Sequence, residues 1–170
     1  IEVFMVKISF DQKPYRKFMM QSFGAKCNPS PSELTDFGKK LLNENQNNPG
    51  SLGIAISEAI EATIKSGGKA KYSLGSVLGH VLMHQTINGN EAILQMEQAG
   101  DYPDIIVGCT GGGSNLSGLM FPFLGQQLRG GNKIDIIGCE PLSCPSFTKG
   151  KYAYDHGDMA KMTPLIKMHT

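Results

Sequence analysis

The sequence predicts an α/β fold with largely parallel sheets and flanking helices. Two apolar runs have the composition of strands: Ile1 to Ile8 is rich in β-branched and aromatic residues, and Ile105 to Val107 is continuously apolar. Between and after these runs, apolar residues recur every three to four positions, as they do along one face of a helix. Because strands and helices alternate along the chain, we expect neighbouring strands to be parallel and covered by helices.

The remaining elements are predicted from apolar periodicity bounded by Gly, Pro and Asn. In chain order they are a helix capped by Asp11 and ended by Gly24, a strand from Ala25 to Asn28, a helix ending near Asn45, a helix from Leu52 to Lys65, a weak strand candidate from Lys71 to Leu74, mostly helix from Leu78 to Ala99, a strand from Ile105 to Val107 buried on both faces, a helix from Asn115 to Leu128, and a strand from Ile134 to Cys139.

Two of these helices rest on specific signals. Ser30, Pro31 and Glu33 have the residue types favoured at the N-cap, first and third positions of a helix, so this helix is predicted to start at Ser30. In the helix from Leu52 to Lys65, four apolar residues recur every four positions and predict a stripe that faces a core. They are Leu52, Ile56, Ile60 and Ile64.

Composition excludes several function classes. The chain has 170 residues, of which 40% are hydrophobic and 18% charged, a mixture typical of globular proteins. Its net charge of +1 gives no electrostatic reason to expect nucleic acid or an anionic membrane as a partner. No apolar run approaches the ~20 residues that span a bilayer, and no signal peptide is visible, so the cytoplasm is the expected compartment. The chain begins inside an apolar run, which we interpret as an excerpt of a longer polypeptide.

The sequence does not predict a metal site. The four cysteines have no paired metal-ligand spacing and are expected to be buried free thiols. His80 and His84 have the spacing of two zinc ligands on a helix, but Val81 stands where a metalloprotease would have its general base. Glu140, which is followed by Pro141, is expected to end a strand and accept hydrogen bonds from nearby backbone rather than to act as a catalyst.

The glycine loop from Gly108 to Gly118 is the most informative stretch. It joins a predicted buried strand to a helix, and its glycines at 111, 112 and 113 let the backbone turn tightly and approach a ligand closely. Ser114 and Asn115 lie where the helix starts. Because a helix N-terminus offers free N–H groups and the positive end of the helix dipole, this loop predicts a site for a phosphate group.

The residues from Gly108 to Gly118 match two known phosphate-binding motifs only in part. Gly113 and Gly118 have the spacing of a P-loop, but Leu119 and Met120 follow where Lys and Ser or Thr are needed. A dinucleotide fingerprint lacks its third glycine, because Leu116 occupies that position, although Glu140 stands where a ribose-binding acid would be. A structural turn that binds nothing remains the other alternative.

The sequence from Gly111 to Asn115 (GGGSN) resembles the phosphate-binding loop of the tryptophan synthase β-chain family. Four further stretches occur in the order in which that family would place them, so the resemblance spans nearly the whole chain. They are DQKPYR (residues 11–16), PGSLGIAISEA (49–59), YSLGSVL (72–78) and CEP (139–141). The residues of these stretches resemble the second, divergent class of β chains more than the class that forms the usual αβ complex.

This resemblance implies the two-domain fold of the fold-type II pyridoxal-phosphate enzymes and a set of cofactor contacts. The phosphate of pyridoxal 5'-phosphate would be held by the loop residues Gly111, Gly112, Gly113, Ser114 and Asn115. Ser76 matches a family Ser or Thr that approaches the cofactor, although a hydroxyl at a strand–helix junction can also be a cap. Residues 1–75 resemble the mobile subdomain of the N-terminal lobe, which closes over substrate, and residues 76–170 the lobe that binds the cofactor phosphate, both incomplete.

The family reaction is a β-replacement in which L-serine loses its hydroxyl and indole adds, giving L-tryptophan. The Schiff-base lysine and an assisting glutamate precede Ile1 in the family, and the partner of the pyridine nitrogen follows Thr170, so these residues alone are expected to be inactive. The resemblance also implies a homodimer for the full-length protein and allows an α-chain partner. Cysteine and threonine synthases use similar glycine loops, but the flanking matches disfavour them. The competing hypothesis is a non-catalytic α/β module that binds a phosphorylated ligand or nucleotide.

Overall fold

The computed structural model describes residues 1–73 and 75–170 and confirms an α/β architecture with small parallel sheets. Its elements in chain order are β1 (Glu2–Val6), α1 (Lys7–Gln12), α2 (Pro14–Ser22), β2 (Lys26–Ser30), α3 (Asp36–Glu44), α4 (Leu52–Lys65), α5 (Gly79–His84), α6 (Thr86–Ala99), β3 (Ile105–Cys109), α7 (Ser114–Leu128), β4 (Asp135–Cys139), β5 (Tyr152–His156) and β6 (Leu165–His169). None of the helices among these residues is both long and apolar enough to cross a membrane.

The chain divides into two compact units. Unit 1 comprises Ile1–Ser73 and Tyr152–Met168, and unit 2 comprises residues 75–151 with His169–Thr170. Unit 1 is therefore built from two separate stretches of sequence. The predicted division at residue 75 separates a subdomain that closes over substrate from a lobe that binds the cofactor phosphate. The two compact units do not test these roles, so this division stays a prediction.

In unit 1, β1 and β2 form a parallel pair whose register runs from Glu2 opposite Lys26 to Val6 opposite Ser30. The predicted strand from Ile1 to Ile8 is too long, because Ile8 lies in α1 and its N–H donates to the carbonyl of Pro49 at 3.0 Å. The ladder ends where β1 passes into α1 at Lys7 and Pro31 follows β2.

Two predicted helix starts in unit 1 are wrong. Asp11 lies inside α1 rather than at a cap, and α2 begins at Pro14, which cannot continue the preceding helix. Ser30 is the last residue of β2, and α3 starts six residues later with Thr35 as its N-cap. The hydroxyl of Thr35 accepts from the N–H of Gly38 at 3.0 Å, whereas the hydroxyl of Ser30 is used elsewhere in the core.

Helix α4 has the predicted bounds but buries a different face. At the two ends of the predicted stripe, Leu52 and Ile64 are 69% and 65% exposed. The buried residues of α4 are Ile54, Ala55, Ser57 and Glu58. Apolar periodicity missed this face because half of it is polar, and the polar half is satisfied by hydrogen bonds. Lys71 to Ser73 form no strand, and the remainder of that predicted strand, Leu74, lies outside the described residues.

In unit 2, β3 and β4 form a parallel pair, and α7 connects them. The core consists of Ile106, Phe123 and Ile134, which are 2–5% exposed, and α6 adds Ala92 and Ile93 to it. Within these residues only one face of β3 is covered, because Ile105 and Val107 are 53% and 58% exposed. Burial of β3 on both faces stays a prediction for the longer protein.

Helices α6 and α7 approach each other at glycines. A Cβ built on Gly89 would lie 2.4 Å from the carbonyl oxygen of Leu119, and a Cβ on Gly118 would lie 2.6 Å from the Cβ of Gln85. No side chain fits at such distances, so the backbones of the two helices meet directly. The approach positions the N-terminus of α7 at the carboxyl end of β3.

The remaining predictions for unit 2 agree with the structure within a residue or two. Helices α5 and α6 account for the predicted helix from Leu78 to Ala99, and α7 and β4 lie where they were expected. Strands β5 and β6 were not predicted. Asp155 and His156 belong to β5, which lies in unit 1 and pairs with β6.

Candidate functional site: a glycine cradle at the N-terminus of α7

The glycine loop connects the end of β3 to the start of α7 and is fixed at both ends. At its beginning, the N–H of Thr110 donates to the carbonyl of Cys139 at the end of β4, at 2.7 Å. At its end, the carbonyl of Gly113 accepts from the N–H of Ser117, which closes the first turn of α7, at 2.9 Å. The loop is thus held at the carboxyl edge of a parallel sheet, the usual edge for ligand binding in α/β proteins.

A different geometric feature explains the absence of a side chain at each of the three glycines, Gly111, Gly112 and Gly113. A Cβ on Gly112 would lie 2.1 Å from the hydroxyl oxygen of Ser76, so no side chain fits there. Gly113 has a φ of +96°, a conformation that L-residues rarely adopt. Gly111 is different, because a Cβ there would meet no described atom within 4 Å. Its open side is where a ligand can reach the loop backbone.

The start of α7 offers backbone donors. Its N-cap is Gly113, which has no side chain to accept from the first turn. Among the residues that the structure describes, no acceptor is recorded for the N–H groups of Gly111, Gly112 or Ser114. Four N–H groups at any helix start lack an intrahelical partner, and the helix dipole places partial positive charge at the same point. This is the arrangement that binds a phosphate.

The structure brings together the predicted cofactor-binding residues, but it gives Asn115 a further task. The oxygen of the Asn115 side chain accepts from the backbone N–H of Cys109 at 3.1 Å, which ties α7 back to β3. Ser114 is the first residue of α7 and is half-buried. Ser76 lies against Gly112, as the predicted common site requires.

The segment that carries Ser76 is strained. Val77 has a φ of +73°, which is a rare conformation for a β-branched residue. The methyl carbon Cγ1 of Val77 would lie 2.8 Å from a Cβ on Gly112, so Val77 also presses against the loop. Strain of this kind costs about 1–3 kcal/mol and is common at ligand sites.

A cavity of about 320 Å³ adjoins the cradle. Its wall is mainly apolar, and its side chains include Leu82, Leu116, Met120, Phe121 and Phe147. Thr110 also lines it, and its hydroxyl oxygen is buried and has no hydrogen-bond partner among the described residues. A buried hydroxyl without a partner is costly, so it marks a place where a bound group or water would gain a hydrogen bond.

Glu140 directly follows the last residue of β4 and accepts hydrogen bonds from the backbone, as predicted. Its carboxylate accepts from the N–H groups of Phe147 and Thr148, both at 2.9 Å, and from the hydroxyl of Thr148 at 2.5 Å. The Thr148 hydroxyl, followed by these backbone donors, holds the pKa of Glu140 below its usual value. Glu140 therefore fixes the loop after β4 and is not arranged as a free base.

The cysteines are not buried as expected. Cys109, Cys139 and Cys144 are exposed, and Cys27 is half-buried. Cys109 and Cys139 are exposed because β3 and β4 carry helices on only one face. The rings of His80 and His84 meet edge to face at 6.1 Å, and within residues 1–73 and 75–170 no group of three or more His, Cys, Asp or Glu could hold a metal ion.

Unit 1 contains a buried polar cluster that the sequence interpretation missed. Glu58 on α4 is 0% exposed, and its carboxyl group accepts from the hydroxyls of Ser30, Ser32 (2.6 Å) and Thr35 (2.7 Å) and from the N–H of Ser32 (3.0 Å). The available signal was an acidic residue inside the apolar pattern of α4, together with the hydroxyl-rich run from Ser30 to Thr35. The cluster joins β2, α3 and α4.

A second missed group fixes residues 156–163 against α4. The carboxylate of Asp158 accepts from the hydroxyl of Ser57 at 2.8 Å, from the N–H groups of Met162 and Thr163, and from the hydroxyl of Thr163. Burial alone would raise the pKa of Asp158, but these donors outweigh it and hold the pKa below its usual value. Burial, and then the charge of Asp158, raise the pKa of Tyr72.

Known proteins match the chain over its whole length. It is 58% identical to "Tryptophan synthase beta chain 2" of Aeropyrum pernix and 57% identical to the protein of that name in Thermotoga maritima, each over 170 residues and 100% of this chain. It is 56% identical, again over 170 residues, to the protein of that name in Pyrococcus furiosus. No family model matches the chain.

Over its whole length the chain is similar to the tryptophan synthase β-chain family. It spans 38% of the length of the Aeropyrum and Pyrococcus proteins and 40% of the Thermotoga protein, so the match is to part of each relative. The predicted resemblance, including the second class of β chains, is confirmed. Tryptophan synthase β chains are pyridoxal-phosphate enzymes of fold type II, and the cradle described above has the free N–H groups and open side that the phosphate of that cofactor requires.

Proposed function

We propose that the full-length protein is a pyridoxal-phosphate-dependent lyase of the tryptophan synthase type, which makes L-tryptophan from L-serine and indole. The single observation that carries this proposal is the cradle: a glycine loop with one open side, in front of a helix whose first N–H groups have no described acceptor. The sequence identity of 58% over 170 residues supports the same reaction class. We place the enzyme in the cytoplasm.

In this proposal, the residues of the chain bind and orient the cofactor by its phosphate. The N–H groups of Gly111, Gly112 and Ser114 would hold the phosphate oxygens, and the positive end of the α7 dipole would stabilise their charge. The hydroxyls of Ser76 and Ser114 are the side-chain donors of the site. Asn115 acts mainly through its hydrogen bond to Cys109, which sets the angle between β3 and α7. When bound, the cofactor supplies an electron sink for bond cleavage at the serine substrate.

Residues 1–75 are proposed to form the subdomain that closes over the substrates and excludes water during the reaction. The lysine that carries the cofactor in this family precedes residue 1 in the family order. We therefore propose that residues 1–170 alone have no tryptophan synthase activity. The full-length protein is proposed to be a homodimer, and an α chain is a further candidate partner.

Synthesis of tryptophan tests the reaction. Full-length protein is incubated with pyridoxal phosphate, L-serine and indole, and tryptophan is quantified by chromatography. We expect many turnovers with the full-length protein and none with residues 1–170. A full-length protein that binds the cofactor but forms no tryptophan would contradict the proposed reaction. Stoichiometric turnover by residues 1–170 would contradict the proposed need for the lysine.

A pair of glycine variants tests the cradle. In Gly111→Ala the new methyl group meets no described atom, so folding is unaffected, but the methyl group occupies the side from which the phosphate approaches. We expect the affinity of the full-length protein for pyridoxal phosphate to fall at least about 10-fold, as one lost or lengthened charge-assisted hydrogen bond implies. The measurement is a titration followed by the absorbance of the cofactor.

The matched control is Gly79→Ala at the start of α5, where an added Cβ also meets no described atom. It should leave cofactor affinity unchanged, and its melting temperature should be equal to or slightly above that of the parent protein, since alanine favours a helix over glycine. The proposed phosphate site is wrong if Gly111→Ala binds the cofactor as tightly as Gly79→Ala does.

A further inference from the structure

We propose that Gly108, together with its register partner Gly138, is a positioning residue that determines the preference of the cradle for a phosphorylated cofactor. Gly108 is buried on β3, and Gly138 lies opposite it on β4. Both contact the first turn of α7 through Leu116. This inference rests on the proposed function, because it concerns how the same site selects its ligand.

The first turn of α7 lies directly on Gly108. A Cβ built on Gly108 would lie 2.8 Å from Cδ1, 3.0 Å from Cα and 3.3 Å from Cβ of Leu116. Packed carbon atoms lie about 3.5–4.0 Å apart, so all three distances are too short for a side chain. The Cδ1 atom can turn away, but the Cα belongs to the helix backbone. A side chain at position 108 therefore requires α7 to move.

Gly138 completes the seat of Leu116 from the neighbouring strand. A Cβ built on Gly138 would lie 3.0 Å from Cδ2 of Leu116 and 3.0 Å from the hydroxyl oxygen of Thr110. Thr110 directly precedes the three glycines of the cradle, and Leu116 directly follows Asn115. The two strand glycines thus contact the residues on both sides of the cradle. None of these contacts depends on an uncovered surface.

This arrangement accounts for the glycine that the dinucleotide fingerprint would have at position 116. In that fingerprint the third glycine lies on the helix and allows the helix to pack closely on the strand. Here Leu116 occupies that position on α7, and the strands carry the glycines instead. The helix reaches the same close approach with its large side chain resting on two residues that have none.

The position of α7 sets the position of the donors in the cradle. Ser114 is the first residue of α7, two residues before Leu116, and Asn115 ties the same turn to the N–H of Cys109 at 3.1 Å. A methyl group on Gly108 would displace this turn by roughly 0.5–1 Å, the distance needed to reach ordinary carbon–carbon packing. Donor and acceptor of a hydrogen bond lie about 2.7–3.2 Å apart, so this displacement takes a donor out of range.

Only a ligand that carries a phosphate should sense this displacement. Pyridoxal has the same ring and aldehyde as pyridoxal phosphate but lacks the group that the cradle would hold. The test therefore compares the two ligands on the full-length protein, each by a titration that follows absorbance. In the parent protein we expect pyridoxal phosphate to bind more tightly than pyridoxal.

Gly108→Ala should lower the affinity for pyridoxal phosphate about 10-fold or more, as the loss of one charge-assisted hydrogen bond implies, and leave the affinity for pyridoxal within about 2-fold. A general loss of structure would instead lower both affinities alike, and that result would overturn the inference. Unchanged affinity for both ligands would overturn it as well.

The double variant Gly108→Ala/Leu116→Ala tests whether the glycine acts through Leu116. It removes Cδ1, the atom nearest to the added methyl group. Its preference for pyridoxal phosphate over pyridoxal should therefore be closer to that of the parent protein than the preference of Gly108→Ala is. Equal preference in the single and double variants would contradict a role of this contact.

Gly138→Ala replaces Gly108→Ala if circular dichroism shows that Gly108→Ala does not fold. Its methyl group meets only side-chain atoms, which can turn away, so it should fold. Its preference for pyridoxal phosphate should fall by about 3-fold, since a hydrogen bond that is lengthened rather than lost keeps part of its energy. In that case an unchanged preference in Gly138→Ala would overturn the inference.

The control is Gly125→Ala on α7, where the atoms nearest to an added Cβ belong to the guanidinium of Arg129 at 3.4 Å. It should keep both affinities of the parent protein. A parent protein that binds pyridoxal phosphate no more tightly than pyridoxal would contradict the proposed phosphate site and this inference with it. A parent protein that prefers pyridoxal phosphate, with the same preference in Gly108→Ala, would contradict this inference alone.

Discussion

Glu58 is the side chain on which most of the polar core of unit 1 converges. It is completely buried, and four donors from Ser30, Ser32 and Thr35 meet its two oxygens. A buried carboxyl group is tolerated only when its oxygens are hydrogen-bonded. Because its partners come from β2, from the connecting loop and from the cap of α3, Glu58 fixes three elements at once.

Replacement of Glu58 should therefore have graded effects. We expect Glu58→Ala to destabilise the full-length protein by roughly 3 kcal/mol or more, because it leaves a cavity and buried donors without acceptors. Glu58→Gln keeps the shape but replaces one acceptor by a donor, and should cost about 1–2 kcal/mol. Urea unfolding measures both. The exposed Glu44→Gln on α3 is the control and should change nothing; equal stability of all three variants would show that the cluster is not structural.

Asp158 makes the stability of unit 1 depend on pH. Its folded-state pKa is lowered below the ordinary value of 3.8, because the hydrogen bonds outweigh the effect of burial. A group with a lowered folded pKa stabilises the protein at pH values above its unfolded pKa, and this contribution is lost as the pH falls through the folded pKa. It is therefore fully present above about pH 5 and declines below about pH 4.

The variant Asp158→Asn tests this dependence. We expect the difference in unfolding free energy between the parent protein and Asp158→Asn to be constant from pH 7 to pH 5 and to shrink as the pH falls below about 4. Asp104→Asn, at an exposed position before β3, serves as the control and should show no such trend. A difference that grows towards low pH would mean that the pKa of Asp158 is raised in the folded protein, contrary to the hydrogen bonds described above.

At the scale of elements, the contact between α6 and α7 depends on a missing side chain. Gly89→Ala would place a methyl group 2.4 Å from the carbonyl oxygen of Leu119, which is backbone and cannot move away alone. We expect a loss of about 1–3 kcal/mol or more from this overpacking. Because α7 carries the cradle, the same change should also weaken binding of pyridoxal phosphate. Thermal unfolding and a cofactor titration of the full-length protein measure the two effects.

Gly125→Ala on α7 is the matched control for Gly89→Ala. The nearest atoms to an added Cβ there belong to the flexible guanidinium of Arg129, at 3.4 Å. Alanine favours a helix over glycine by about 0.5–1 kcal/mol, so this variant should be as stable as the parent protein or slightly more stable. If Gly125→Ala and Gly89→Ala lowered the stability equally, the close contact between α6 and α7 would not explain why position 89 requires glycine.

The elements that the sequence predicted well are those whose signal is local. The bounds of α4 and α7 follow from apolar periodicity and nearby Ser, Gly and Asn, and the GGGSN loop was recognised from its own residues. The failures have non-local causes. The Ser30 motif has every feature of a helix start, but its hydroxyl bonds to Glu58, which lies 28 residues away in the chain. The pairing of Ser57 with Asp158 spans 101 residues and left no local pattern to detect.

For the whole molecule, the uncovered face of β3 and β4 predicts self-association of the isolated residues 1–170. Ile105, Val107 and Ile137 are 47–58% exposed on these two strands. Exposed apolar surface of this kind promotes association, and open strand edges add to it. We expect concentration-dependent oligomers in sedimentation velocity, and fewer of them in Val107→Lys. Leu128→Lys, at the exposed end of α7, is the control and should associate as before; a monomer at high concentration would contradict the prediction.

The two-part composition of unit 1 has a consequence for its synthesis. Ribosomes add about 5–20 residues per second, so Ser57 would be made roughly 5–20 s before Asp158, its partner 101 residues later. Residues 75–151 of unit 2 emerge during that interval and contain most of their own core partners. Unit 2 is therefore free to fold on the ribosome first, whereas Ser57 of the nascent α4 stays without its partner Asp158 until the seventeen residues from Tyr152 to Met168 are made.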